Sequence, residues 1–340
     1  MSFKSFAKLT LISIFLIIVA GSIVRMTGSG MGCPDWPKCF GWNIPPTSDG
    51  QVRWHPETSF FEGQMIIYND QLIVANHDFI SGESYNNNNW SYFKKHNYTK
   101  FSVSHTWFEY INRLIGAFSG ILTFIMFLWS FSYWRTKRNV VFFSGLVVLC
   151  MLFQAWLGAT VVYSVLEPVQ ITIHMLMALF IVALMVYLIA QFPNSSSKQL
   201  LAFENSLFLL VKLALLLTVI QIIFGTQVRQ LIDVIAKSMD YEGRDLWLYS
   251  VGNIFKVHRS FAILLVVTNL ALFYINYRRG LNFSCVNIIL IVVFMEVFSG
   301  VVLTYMDMIA LMQPVHLLLA SLLFVLQISL YFQIKNLRTN

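Results

Sequence analysis

Charge is what this sequence has least of. Only 11% of its 340 residues are Asp, Glu, Lys or Arg, while 57% are hydrophobic and 30 are phenylalanine. Soluble domains carry roughly 25% charged residues, so a soluble globular protein is excluded as a class. The basic excess, 23 Lys and Arg against 16 Asp and Glu, gives a net charge of +7. It forms no basic stripe interleaved with aromatics, which argues against a nucleic-acid partner. Four cysteines are too few for a disulfide scaffold. The first apolar run starts near residue 9, behind Lys4 and Lys8, and continues through Val24 without a small-residue cleavage site. A retained span is expected there, and no removable leader. His55, His77 and His96 lie in a polar stretch at no metal-ligand spacing, so solvated surface roles are expected of them.

What is present is a series of apolar runs, each long enough to cross roughly 30 Å of hydrocarbon. They fall at about 9–27, 108–131, 139–162, 169–191, 206–228, 254–276, 283–305 and 311–334. An all-α integral membrane protein with eight transmembrane helices is predicted. Arg135, Lys137, Arg138, Lys198, Arg278, Arg279, Lys335 and Arg338 all fall on the side of Lys4 and Lys8. Short connections on the other side, near Glu167 and Asp307, carry no Lys or Arg. The positive-inside rule then predicts that both termini are cytoplasmic. Two outer connections are long: residues 30–106, polar with little helical period, and residues 230–253.

The spans repeat. Gly158 is followed by Tyr163 and then His174, and Gly300 by Tyr305 and then His316, at the same spacings of five and sixteen residues. Gly21 and Arg25 end the first span as Gly225 and Arg229 end the fifth. Asn112-Arg113 opens the second span where His258-Arg259 opens the sixth, and Gln154 precedes Gly158 as Glu296 precedes Gly300. Four spans per half make this a parallel duplication. Two tandem four-helix bundles are predicted, residues 1–192 and 206–340.

With the N-terminus inside, His174, His258 and His316 each fall within the first turns of an even-numbered span, at one depth in the outer third of the bilayer. A histidine bonding a neighbouring helix is the plainer alternative. Three at one depth, with His258 and His316 able to face each other in one bundle, favour heme ligation by two axial imidazoles. Arg25, Arg113, Arg229 and Arg259 recur beside them, placed either to meet heme propionates or to snorkel to the interface. Asn112 is a poor iron ligand, so the first pocket is expected to hold iron through His174 alone, an open site suited to turnover. Glu109, one turn outward on the same face, is a candidate acid or base or an interfacial carboxylate at a helix start. His105, seven residues before Asn112 and ~10 Å further out than it, reads as a loop residue, with replacement ligation as the lesser alternative. Cys33 and Cys39, with five residues between them on the outer side, suit a disulfide, structural or redox-active. Cys150 and Cys285 read as packing residues.

The stretch Gly21-Ser-Ile-Val-Arg-Met-Thr-Gly-Ser-Gly-Met-Gly-Cys-Pro-Asp-Trp-Pro-Lys-Cys39, with Pro45-Pro46, resembles the first span and loop of the heme A synthase family. So do Glu109-x-x-Asn112-Arg113, Gln154-x-x-x-Gly158, Pro168 to His174, His258-Arg259 and Pro314-x-His316, over nearly all eight spans. The resemblance implies an enzyme of heme biosynthesis that oxidises a ring methyl of heme O to the formyl of heme A for cytochrome oxidase. It implies heme b iron held by His258 and His316, and substrate heme O received near Glu109 and His174. It implies a bacterial cytoplasmic (inner) membrane location with the heme sites toward the outer face. Expected partners are membrane lipid, the heme O-producing farnesyltransferase and oxidase assembly factors; a homo-oligomer is compatible with all of this. The chain departs from the family at Asn112, where most members have a second histidine, and it has no second cysteine pair in residues 230–253. Two rivals stand beside this reading. A diheme electron carrier calls for two bis-His sites, and a heme chaperone or transporter has no need of Glu109.

Overall fold

A computed structural model describes residues 1–95, 100–163, 168–193, 205–239 and 242–339; His96, Glu167 and Lys198 lie outside the described residues. The long helices are α1 (Phe3–Met26), α2 (Val103–Ser130), α3 (Arg138–Tyr163), α4 (Pro168–Ala190) and α5 (Asn205–Ser238). After the short α6 (Arg244–Ser250) come α7 (Asn253–Arg278), α8 (Ser284–Tyr305) and α9 (Met312–Thr339). Among the described residues, eight helices are long and apolar enough to cross a membrane, α6 being the exception. Backbone hydrogen bonds closed within each helix are what let such segments sit in hydrocarbon.

Each group of four packs as a ring. Helix α1 touches α2 and α4, α2 touches α3, and α3 touches α4; α5 touches α7 and α9, α7 touches α8, and α8 touches α9. The rings meet where α1 and α4 lie against α9 and α4 lies against α5. Ile14, Met126, Val147 and Met185 are buried inside the first ring; Val211, Leu272, Ile289 and Leu330 fill the second. Phe118, Ile121 and Leu128 on α2 and Ile291, Phe294 and Phe298 on α8 are exposed. Rows of exposed apolar side chains on helix after helix are what a lipid-facing surface requires. In the second ring, Thr218 Oγ1 donates to Gln327 Oε1 at 2.8 Å and Gln327 Nε2 donates to Asn269 Oδ1 at 3.1 Å. This ties α5, α9 and α7, at about 0.6 kcal/mol per interhelical bond in hydrocarbon.

Residues 230–253, expected as a loop, are largely helical. Helix α5 continues through Ser238, and at ~1.5 Å per residue its 34 residues outrun the hydrocarbon thickness. Val228, Ile232 and Ala236, four apart, keep one face apolar and bury it on Trp247 of α6, Val251 and Met308.

The segment after α1 is also more ordered than its polarity suggests. Strands β1 (Ser59–Phe60) and β4 (Phe79–Ile80) pair, as do β2 (Met65–Tyr68), β3 (Gln71–Ala75) and β5 (Trp90–Tyr92), all antiparallel. Asn69 and Asp70 turn the β2–β3 hairpin with φ of 48° and 56°, the left-handed pair that a tight two-residue turn demands. Period-two alternation then sends Met65, Ile67 and Leu72 to a core with Cys33, Cys39 and Phe40, and Ile66, Ile73 and Ala75 to one with Phe60 and Trp90. Gly41, at φ +80°, lies so close to the hairpin that an added Cβ would fall 2.2 Å from the Gly63 carbonyl oxygen. No other residue fits there.

Candidate functional site

The same construction occurs at four places near the end of the rings that carries the sheets. Gly21 of α1 faces Asn112 of α2, Gly158 of α3 faces His174 of α4, Gly225 of α5 faces His258 of α7, and Gly300 of α8 faces His316 of α9. An added Cβ would lie 3.9 Å from Asn112 Oδ1, and 3.6, 3.2 and 3.4 Å from Cε1 of the three histidines in turn. Each glycine is thus the seat of one side chain on a neighbouring helix of its ring. Asn112 occupies the seat that histidines occupy elsewhere.

The His258 and His316 rings lie across from each other, centroids 6.4 Å apart and planes at 76°. Imidazole nitrogens bind metals at ~2 Å, which puts the centres of two rings on one ion roughly 6 Å apart. The pair therefore fits a heme iron held between two imidazoles. The shells behind the rings differ. Gln154 Nε2 donates to the His174 carbonyl and Gln221 Nε2 to the His258 carbonyl, both at 3.0 Å, which fixes backbone rather than ring. The Nδ1 atoms of His174 and His258 and Oδ1 of Asn112 are buried with no hydrogen-bond partner among the described residues. At His316 the neighbours reach the ring itself: Ser299 Oγ lies 2.7 Å and Glu296 Oε1 3.3 Å from Nδ1.

Glu109 is buried, 4% exposed, against the loop closed by the Cys33–Cys39 disulfide. Its Oε2 accepts from the Cys33 N–H at 2.9 Å, and its Oε1 accepts from Arg113 Nη2. Arg113 Nη1 also donates to the carbonyls of Asp35, Pro37 and Lys38 at 3.1, 3.3 and 2.9 Å. One guanidinium so binds both the Glu109 carboxylate and the disulfide loop. Tyr163 Oη adds a bond to the Trp36 carbonyl at 3.2 Å. Burial pushes the Asp35 carboxyl up from its ordinary range, against the opposing pull of backbone N–H groups and of Arg113. His105, read from the sequence as a loop residue, lies in the first turn of α2. There its carbonyl would be 2.6 Å from a Cβ on Gly32, so α2 and the loop meet backbone to backbone.

We expect Arg113→Ala to destabilise the protein by about 3–5 kcal/mol, because it leaves a buried carboxylate unpaired and frees three loop carbonyls. Thermal unfolding in detergent, with limited proteolysis at residues 33–39, measures it. An unchanged melting curve with an uncut loop would refute the clamp.

The other arginines fall differently. Arg25 of α1 and Arg229 of α5 both pair with Asp233, at 2.9 and 2.8 Å, joining the two rings. Asp233 is hidden in the sequence because its segment reads as a loop; its spacing of four from Arg229 is the signal that could find it. Arg259 is exposed and lies over the Phe255 ring. The geometry thus brings Glu109 to Arg113, Arg25 to Arg229, and His258 to His316.

Among the described residues, eight membrane-length helices with facing histidines and half-buried arginine ion pairs near one end define a multi-pass helical membrane protein. The sequence profile of the COX15-CtaA family, described as cytochrome oxidase assembly protein, matches residues 4–80 and 66–328, and the chain belongs to that family. Among curated relatives, a heme A synthase of Shewanella oneidensis is 24% identical over 208 residues, 61% of this chain and 50% of that protein. One from Bartonella quintana is 26% identical over 190 residues, 54% of this chain and 46% of that protein. A third, from Orientia tsutsugamushi strain Boryong, is 25% identical over 240 residues, 63% and 59% of the two chains. The chain therefore spans about half the length of the curated relatives it matches.

Proposed function

We propose that this protein is a heme A synthase, an oxidoreductase that converts a ring methyl of heme O to a formyl group. The observation that carries the reading is the set of histidines that the glycine-backed seats hold. His258 and His316 face each other as a two-imidazole set, while the first ring offers His174 with Asn112 in the corresponding place. The halves, residues 1–192 and 206–340, are read as unequal copies of one duplicated unit. In the second, His258 and His316 would hold heme b, which would supply electron transfer when bound. In the first, His174 binds the substrate's iron and leaves the opposite side open. Arg259 is read as a propionate partner, and Arg25 and Arg229, which meet at Asp233, are read as two more.

Each of two successive hydroxylations replaces a methyl C–H with C–OH and draws on an external oxidant, either dioxygen with two electrons supplied or water with two electrons removed; the resulting gem-diol loses water to give the aldehyde. Glu109, held by Cys33 and Arg113, handles a proton or stabilises positive character at the substrate carbon. The Lys and Arg distribution supports cytoplasmic termini and heme sites toward the outer face of a bacterial cytoplasmic membrane. Heme O reaches the site from the farnesyltransferase that makes it, and the product serves oxidase assembly.

The test is to express the chain with a supply of heme O and to analyse extracted hemes by chromatography and mass spectrometry. A formyl product is expected. Recovery of heme O alone, from protein that has bound it, would overturn the synthase reading in favour of an electron carrier or a heme chaperone.

A further inference from the structure

The four glycine-backed seats have flanking residues that differ in kind. One residue before the glycine stand Ala20, Leu157, Phe224 and Ser299; four before it stand Ile17, Gln154, Gln221 and Glu296. Only at Gly300 are both positions able to bond an imidazole nitrogen, and there both do. Ser299 is 1% exposed, its Oγ 2.7 Å from His316 Nδ1, and Glu296 Oε1 lies 3.3 Å from the same nitrogen.

The contacts around Ser299 give its proton a second acceptor to point to. Ser299 Oγ lies 2.8 Å from the Glu296 backbone carbonyl, which can only accept, so the single hydroxyl proton is directed there. With the proton there, Ser299 Oγ meets His316 as an acceptor and Nδ1 carries the imidazole proton, the tautomer assigned here. The carboxyl oxygen of Glu296 is a second acceptor on the same side. Nε2 is left with its lone pair free, the tautomer that binds a metal. His258 and His174 lack this arrangement, their Nδ1 atoms being buried with no hydrogen-bond partner among the described residues.

We infer that Ser299 and Glu296 are positioning residues that hold His316 in its iron-binding tautomer and orientation and make it the more basic of the two axial ligands, so setting the reduction potential of the second-ring heme. The inference rests on the proposed assignment of His258 and His316 as heme ligands. A ring whose far N–H is bound by good acceptors gives more electron density to the metal and stabilises the oxidised ion. Removing the acceptors therefore raises the potential.

The experiment is potentiometric titration of the purified full chain loaded with heme b, following the absorbance of the second-ring heme, for wild type, Ser299→Ala, Ser299→Thr and Glu296→Gln. Ser299→Ala is expected to keep its heme and to raise the reduced-to-oxidised ratio at a fixed poise roughly tenfold, an upward shift of about 59 mV for a one-electron couple. Glu296→Gln, which keeps an amide oxygen but loses the carboxylate, should shift in the same direction by less. Ser299→Thr retains the hydroxyl and should restore the wild-type potential. An unchanged potential in Ser299→Ala and Glu296→Gln with heme retained overturns the inference. Heme loss from Ser299→Ala that Ser299→Thr does not rescue also overturns it, by showing a packing role alone. Failure of the underlying assignment looks different: His316→Ala would then bind heme with an unaltered spectrum.

Discussion

His258→Ala is expected to abolish the six-coordinate signal of the second-ring heme and to reduce heme A formation to background. The ring it removes lies 6.4 Å from that of His316, and among the described residues no other side chain occupies its seat on Gly225. His316→Ala should give the same spectral loss. A steric version of the experiment leaves both histidines in place. A Cβ at Gly225 would fall 3.2 Å from His258 Cε1, so Gly225→Leu must push the ring out of line and weaken the site without deleting a donor. The first ring behaves otherwise. On the proposed assignment the Asn112 amide is not an iron ligand, so Asn112→Ala should barely alter the first-ring heme spectrum, while His174→Ala should collapse it. Absorbance and electron paramagnetic resonance spectra of the purified variants decide the matter. Equal loss in Asn112→Ala and His174→Ala would remove the single-ligand reading, and an intact six-coordinate signal in His258→Ala would remove the two-imidazole one.

The parts of this protein that are legible in its sequence are those where one physical requirement outweighs the rest. Apolar runs of membrane length can only be helices, because hydrocarbon offers backbone groups no other partner. Glycine and histidine recur at fixed spacing, and each such glycine lies against the ring of a histidine on the next helix, as at Gly158 and Gly300. Where several weak preferences compete, the pattern is hidden. The outer turns of α5 carry Arg229, Gln230, Asp233 and Lys237, which dilute hydropathy although Val228, Ile232 and Ala236 keep the helical stripe. The strands are two to five residues long, too short for an alternating pattern to stand out, although Asn69-Asp70 between two β-branched runs is a hairpin signal. Partners on neighbouring helices are the least accessible. That Asp233 serves Arg25, 208 positions away in the chain, or that Ser299 reaches His316, depends on helix rotation, which no spacing within one helix reports.

Glu109 is where the structural and chemical readings meet, and its substitution separates them. The carboxyl is held from two sides: the Cys33 N–H bonds one oxygen, the Arg113 guanidinium bonds the other, and Arg113 continues to the loop carbonyls. In Glu109→Gln the amide oxygen can accept from one of these partners, but its NH2 group then confronts the other donor, at a cost of about 1–3 kcal/mol for a buried group left unsatisfied. That penalty is local to the first ring, so the second-ring heme should keep its spectrum. If Glu109 also handles a proton at the substrate carbon, heme A formation should fall by on the order of 100-fold or more, the usual worth of a positioned acid or base. Glu109→Asp, which keeps the charge for Arg113 on a shorter arm, separates the two contributions. A purely structural carboxylate predicts that Asp and Gln variants lose activity only in proportion to their lost stability. A chemical one predicts that Gln is far the more damaging at equal stability. The decisive measurement is heme A produced per folded, heme-loaded protein, with the Cys33–Cys39 bridge checked by mass spectrometry without reduction. A Gln variant turning over heme O at the wild-type rate would confine Glu109 to holding the disulfide loop.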